Sequence, residues 1–83
     1  MEKLLSLKNI GRTSAHWLSV IGINSYDDLN NLGAVEAYKL IENRGIRTSK
    51  VLLYALQGAL LDQHWNEIPE SLKDELCKKA GIN

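Results

Sequence analysis

The segment from Lys50 to Gln63 constrains this chain most. Val51, Leu52, Leu53, Ala55, Leu56, Ala59, Leu60 and Leu61 place apolar groups on most sides of one helix. A helix that is apolar nearly all round has to be covered all round. A chain of 83 residues forms one domain and buries only about 60% of its unfolded surface. The helix is therefore expected at the centre, with the other elements wrapped around it. Thr48 or Ser49 caps its start. Gly58 in its middle costs roughly 1 kcal/mol against Ala and predicts a close approach by a neighbouring helix.

The flanking segments read as shorter helices. Lys3–Leu7 forms the first. Thr13–Ile21 forms the second, with Ala15, Leu18 and Ile21 on one stripe, Trp17 nearby and Gly22 as its stop. Ser25 and Asp28 have the spacing of a capping box and open a third, which carries Leu29 and Leu32 inward and breaks at Gly33. Ala34–Arg44 follows, with Val35, Tyr38 and Ile41 on its apolar face and Asn43 and Gly45 at its end. Pro69 suits the first position of the last helix, which is anchored by Leu72 and Leu76 and ended by Gly81. No strand alternation and no linker interrupt residues 1–83. The fold class is all-α, a compact bundle of five to six helices.

Composition narrows the function classes. The single cysteine, Cys77, excludes an internal disulfide framework and suits a reducing compartment. The N-terminus lacks the pattern of a signal peptide, and no apolar run approaches the roughly 20 residues of a membrane span. A cytoplasmic protein without membrane contact is expected. His16 and His64 stand at no metal-ligand spacing from each other or from Cys77, so neither a metal nor a cofactor is expected. No P-loop, dinucleotide fingerprint or nucleophile elbow is present, and no enzyme or small-molecule substrate is expected. His16 reads as a surface or boundary residue. His64 and Trp65 read as the cap of the central helix and the closure of the core. Cys77 reads as a packed thiol, or as one activated by the neighbouring Lys78 and Lys79.

Net charge is zero, but the charges are segregated. Residues 1–24 carry Lys3, Lys8 and Arg12 against Glu2, and residues 44–61 carry Arg44, Arg47 and Lys50 with no acid. Between them, Asp27, Asp28, Glu36 and Glu42 face only Lys39. Both basic blocks hold a glycine turn that leads into a helix. In the first, Gly11 can take positive φ freely and Asn9 tolerates it better than most residues. Such a turn aims backbone N–H groups outward beside a helix start, where the dipole favours an anion. Lys8, Asn9, Gly11, Arg12, Thr13 and Ser14 are the candidate phosphate contacts. The alternative is that Gly11 and Gly22 simply bracket a short helix. An Arg-Thr-Ser triplet recurs 35 residues later, at Arg47-Thr48-Ser49. With Lys50 it supplies a candidate second contact if the two turns lie on one face, and is otherwise a coincidence of three residues.

Leu7-x-x-Ile10-Gly11, Trp17-Leu18, Gly22-Ile23, Asp28-Leu29, Leu32-Gly33-Ala34-Val35-Glu36-Ala37-Tyr38, Leu53-Tyr54-Ala55-Leu56-x-Gly58-Ala59-Leu60 and His64-Trp65 resemble the C-terminal domain of the TfoX/Sxy proteins across residues 4–77. The resemblance implies a helix-hairpin-helix, SAM-like fold. Family members regulate DNA uptake in competence and carry a separate N-terminal domain, which is not found in this sequence. The usual hairpin is Gly-hydrophobic-Gly, and Asn9 replaces its first glycine. Ile23–Leu32 also resembles, at the level of fold alone, the C-terminal domain of the RNA polymerase alpha subunit.

Two functions of different class remain. One is a module that binds the phosphate backbone of nucleic acid weakly and without sequence preference. The other is a protein-interaction or self-associating module, in which the acidic segment from Asp27 to Glu42 meets a basic partner or a second copy.

Overall fold

The computed structural model describes residues 4–82. Met1, Glu2 and Lys3, the last expected to open the first helix, lie outside the described residues, as does Asn83. Among the described residues five α-helices run in the order α1 (Arg12–Val20), α2 (Tyr26–Leu32), α3 (Ala34–Asn43), α4 (Lys50–Leu61) and α5 (Glu70–Ala80). Single 3-10 turns occupy Leu4–Ser6 and Trp65–Glu67. The expected first helix is thus one tight turn. No strand and no helix long and apolar enough to cross a membrane occurs among the described residues.

Helix α4 holds the centre, as its composition demands. Leu53 and Leu56 are fully buried, and Leu52, Ala55, Gly58 and Ala59 nearly so. Burying a leucine side chain contributes ~1.5–3 kcal/mol, so this one helix carries much of the driving force. Around it sit Leu18 of α1, Leu29 of α2, Ala37, Tyr38 and Ile41 of α3 and Leu76 of α5. Only the ends of α4 escape cover, with Val51 and Leu61 exposed.

Capping chemistry sets the boundaries. Ser25 Oγ accepts the Asp28 N–H at 3.2 Å, while Asp28 reaches back to the Asn24 N–H at 3.0 Å, one residue beyond the usual box partner. Gly33 ends α2 and starts α3 at φ 91° and ψ 152°, a backbone region essentially closed to side chains. That one residue lets two helices meet without a loop. α1 closes on Gly22 with the Ile23 N–H bonded to the Leu18 carbonyl at 2.8 Å, a Schellman motif. α4 closes in the same way, with Asp62 in the left-handed position and the Gln63 N–H bonded to the Gly58 carbonyl at 2.8 Å. Tyr26 Oη then donates to the Leu60 carbonyl at 3.1 Å, joining α2 to the end of α4. Pro69 sits one position earlier than expected, at the cap of α5 rather than inside it.

Candidate functional site

The site begins with Asn9. It is one of two non-glycine residues with positive φ among the described residues, at 69°. The conformation open to Gly11 or Asn9 thus falls on Asn9, and Gly11 is extended at φ −97°. This aims the Asn9 amide inward. Its Nδ2 donates to the Gln63 carbonyl at 2.9 Å and to the Ala55 carbonyl at 3.3 Å, and its Oδ1 accepts the Trp65 N–H at 3.1 Å. One side chain therefore ties the start of α1 to both the interior of α4 and the turn that follows it. Gly58 makes room for this: a Cβ there would lie 2.6 Å from Asn9 Nδ2 and 2.6 Å from the Gln63 carbonyl oxygen. The close approach expected at Gly58 is thus made by a side-chain amide and a backbone carbonyl, not by another helix.

This seam sets the start of α1 beside the start of α4, with a cleft of about 400 Å³ between them. Ser14 and Trp17 line it from α1, Ser49, Leu52 and Ala55 from the α4 side, and His64 and Trp65 from the turn beyond. No carboxylate among the described residues lines it. Neither helix start is capped by a side chain: the cap positions are Gly11 and Ser49, and the Ser49 hydroxyl accepts no capping bond. Two sets of first-turn N–H groups and two positive dipole ends therefore flank one acid-free cleft.

The expected contact residues divide. Ser14 and Ser49, one from each Arg-Thr-Ser triplet, meet in the cleft, and Asn9 joins them along its wall. Lys8, Arg12, Thr13 and Arg47 are exposed around the two turns, and none forms an ion pair; among the described residues the only one is Lys79–Glu75 at 3.5 Å. Thr48 turns inward, where Oγ1 lies 3.1 Å from Tyr38 Oη and 3.5 Å from Glu42 Oε2. Lys50 lines a different cavity, with Tyr54, Glu70, Asp74, Cys77 and Lys78.

The family of TfoX C-terminal domains matches residues 1–80. The chain belongs to this family. Two solved structures resemble the TfoX C-terminal domain described here, both from Listeria monocytogenes. One, an uncharacterized protein in a triclinic crystal form, is 33% identical over 92% of this chain and 86% of its own, with a TM-score of 0.87. The other, a protein of unknown function in a tetragonal form, is 32% identical over 94% of this chain and 96% of its own, also with a TM-score of 0.87. No curated protein matches the chain.

In this TfoX C-terminal domain Trp17 packs against the core beside its helix stripe, as expected, but Trp65 serves differently. Trp65 is half-buried but stands outside the main apolar cluster, so it does not close the core. Lys73 Nζ lies 5.8 Å from its ring centre and 5.3 Å from that of Tyr54, a distance at which the cation is attracted to both rings. His64 does not cap α4. It opens the next turn as a capping box, where its backbone N–H donates to Glu67 Oε1 at 3.1 Å, its Nδ1 accepts the Asn66 N–H at 3.5 Å, and Nδ1 lies 2.7 Å from Asn66 Oδ1. Cys77 is half-buried, with Sγ 3.3 Å from Tyr54 Oη. That bond, aided by burial, pushes the Tyr54 phenol up to about 12. His16 is exposed, and no three His, Cys, Asp or Glu side chains are grouped to hold a metal ion among the described residues.

Proposed function

We propose that the domain binds the phosphate backbone of nucleic acid at this cleft, without reading sequence, as a hairpin-type module in DNA uptake or transcriptional regulation. The observation that carries this reading is that one serine from each triplet lines the same cleft. Ser14 and Ser49 lie 35 residues apart in sequence yet line one acid-free cleft, each beside a helix start that no side chain caps. Backbone N–H groups and hydroxyls at such a place suit phosphate oxygens. Arg12 and Arg47, exposed and without an ion-pair partner among the described residues, add charge in the two turns. Contacts of this kind position a strand without specifying it. With two phosphates engaged, log K falls with log salt at a slope of roughly −1.4 on single strands to −1.8 on duplex.

An amide-shift titration with short DNA at low salt tests this. The expected result is shifts clustered at residues 8–14 and 44–50 that vanish as salt is added. Arg12→Glu combined with Arg47→Glu should abolish them. Shifts that survive the double reversal place the contact elsewhere.

A protein partner is the second reading. It is favoured by a groove of about 480 Å³ between the start of α3 and α5, lined by Leu32, Val35, Leu72 and Leu76 together with Glu36 and the Glu75–Lys79 ion pair. Gel filtration with light scattering at low and high salt addresses self-association. A salt-insensitive monomer counts against electrostatic pairing of two copies.

A further inference from the structure

We infer that the cleft between α1 and α4 receives one unpaired nucleobase, so that the domain prefers single-stranded over duplex nucleic acid. This rests on the nucleic-acid reading above and adds to it which form of nucleic acid is held and by what.

The argument comes from the walls of the cleft rather than from its helix ends. Trp17 and Trp65 come from different elements, are each half-buried, and both line the same cavity. Trp17 also packs against the core, which fixes it as a wall. Trp65 is held by its N–H bond to Asn9 Oδ1 and by Lys73 over its ring. Lys73 does not line the cleft, whereas His64 does, its ring centre 6.1 Å from that of Trp65 and tilted by 30°, so that an imidazole and an indole stand side by side in the wall. Leu52 and Ala55 give the cavity an apolar floor.

A cavity of about 400 Å³ falls within the range of roughly 300–1,000 Å³ typical of small-ligand sites. Two indoles over an apolar floor, with no carboxylate, suit a flat aromatic group attached to an anion. Bases inside a duplex have both faces covered by their neighbours, whereas an unpaired base can leave the stack and lie on an aromatic side chain. The phosphate next to that base then falls at the uncapped helix starts beside Ser14 and Ser49.

The experiment varies the ligand and leaves the protein intact. Tryptophan fluorescence is followed at low salt on adding a short oligothymidine strand, the same strand with every base removed, a duplex of equal phosphate count, and inorganic phosphate. The expected result is quenching by oligothymidine and binding about tenfold tighter than the abasic strand or the duplex, equivalent to ~1.4 kcal/mol. Trp65→Leu should narrow that preference to less than about twofold, and circular dichroism verifies that the variant is folded. Equal binding of all three polymers without quenching overturns the base site and leaves the phosphate reading standing. Binding of none of the four overturns both.

Discussion

The two Arg-Thr-Ser turns share three residues and are built in opposite ways. In the first, Arg12 begins α1, so Ser14 is the third helical residue. In the second, Ser49 precedes the helix and stands at its cap position. The first turn is held from outside its triplet, by the Asn9 amide buried against α4 and the Trp65 N–H. The second is held from within, by Thr48 reaching Tyr38. The positive φ falls on Asn9 before the first triplet and on Gly45, at 85°, before the second. Both nonetheless deliver a serine to the same cleft. A shared triplet therefore does not signify a duplicated unit here; the common outcome comes from how each turn is fastened.

The largest expected effect is at Gly58, where the first turn is fastened. Helix propensity alone says that Gly58→Ala stabilises α4 by about 1 kcal/mol. The Cβ would instead lie within 2.6 Å of Asn9 Nδ2 and of the Gln63 carbonyl. One of these is backbone, in the closing turn of α4, and cannot simply swing away. A net loss of about 2–3 kcal/mol follows, a fall in Tm of more than roughly 10 °C for a domain this size. A thermal melt that rises would show that the seam does not hold the first turn.

Asn9 comes next. Asn9→Asp keeps the shape but sets a carboxylate against the Ala55 and Gln63 carbonyls, at a cost of about 2 kcal/mol. Asn9→Gly keeps the positive φ, gives the turn the glycine of the usual hairpin and loses only the side-chain bonds, at about 1 kcal/mol. Denaturant melts of the pair separate latch from backbone. If neither variant is less stable than the parent, the amide bonds are not what fastens this turn.

Sequence patterning made the helices legible because their causes are local. The Ser25–Asp28 cap, the stop at Gly22 and the apolar girth of α4 each depend on residues within a turn or two. The long-range fastenings left fainter marks. Asn9 and Gly58 explain one another, but they are 49 positions apart and each alone has a local reading, as a turn former and as a weak point in a helix. A glycine in the middle of an otherwise strong helix was the available signal; what it makes room for was not written nearby. Trp17 and Trp65 posed the same difficulty. An aromatic ring can pack and line a cleft at once, and only the closure of the seam brings the two together. Thr48 shows the converse: its type suggested a cap or a phosphate contact, while the nearness of Tyr38 drew the hydroxyl inward.

The contrast between the triplets predicts unequal threonines. Thr48→Val removes the bond to Tyr38 at nearly constant shape and should cost about 1 kcal/mol. Thr13→Val, at an exposed position, should stay within about 0.5 kcal/mol of the parent. Equal losses in urea melts would mean that the two turns are fastened alike after all.

The smallest effect concerns how α4, which carries the second turn, is held to α5. Tyr54 Oη and Cys77 Sγ join the two helices, and that hydrogen bond, followed by burial, raises the phenol from its ordinary 10.0 to about 12. Below pH 10 folded and unfolded chains both keep this proton. Between 10 and 12 the unfolded chain has lost it and the folded chain has not, so stability falls as pH rises through that window. The contribution is fully present below pH 10. An absorbance titration should show the Tyr54 phenol ionising at about 12, and Cys77→Ala should bring it back toward 10 with only a slight loss of stability at neutral pH. A Tyr54 phenol that stays at about 12 in Cys77→Ala would show that the thiol is not what raises it, and that the α4–α5 joint is held by packing rather than by this bond.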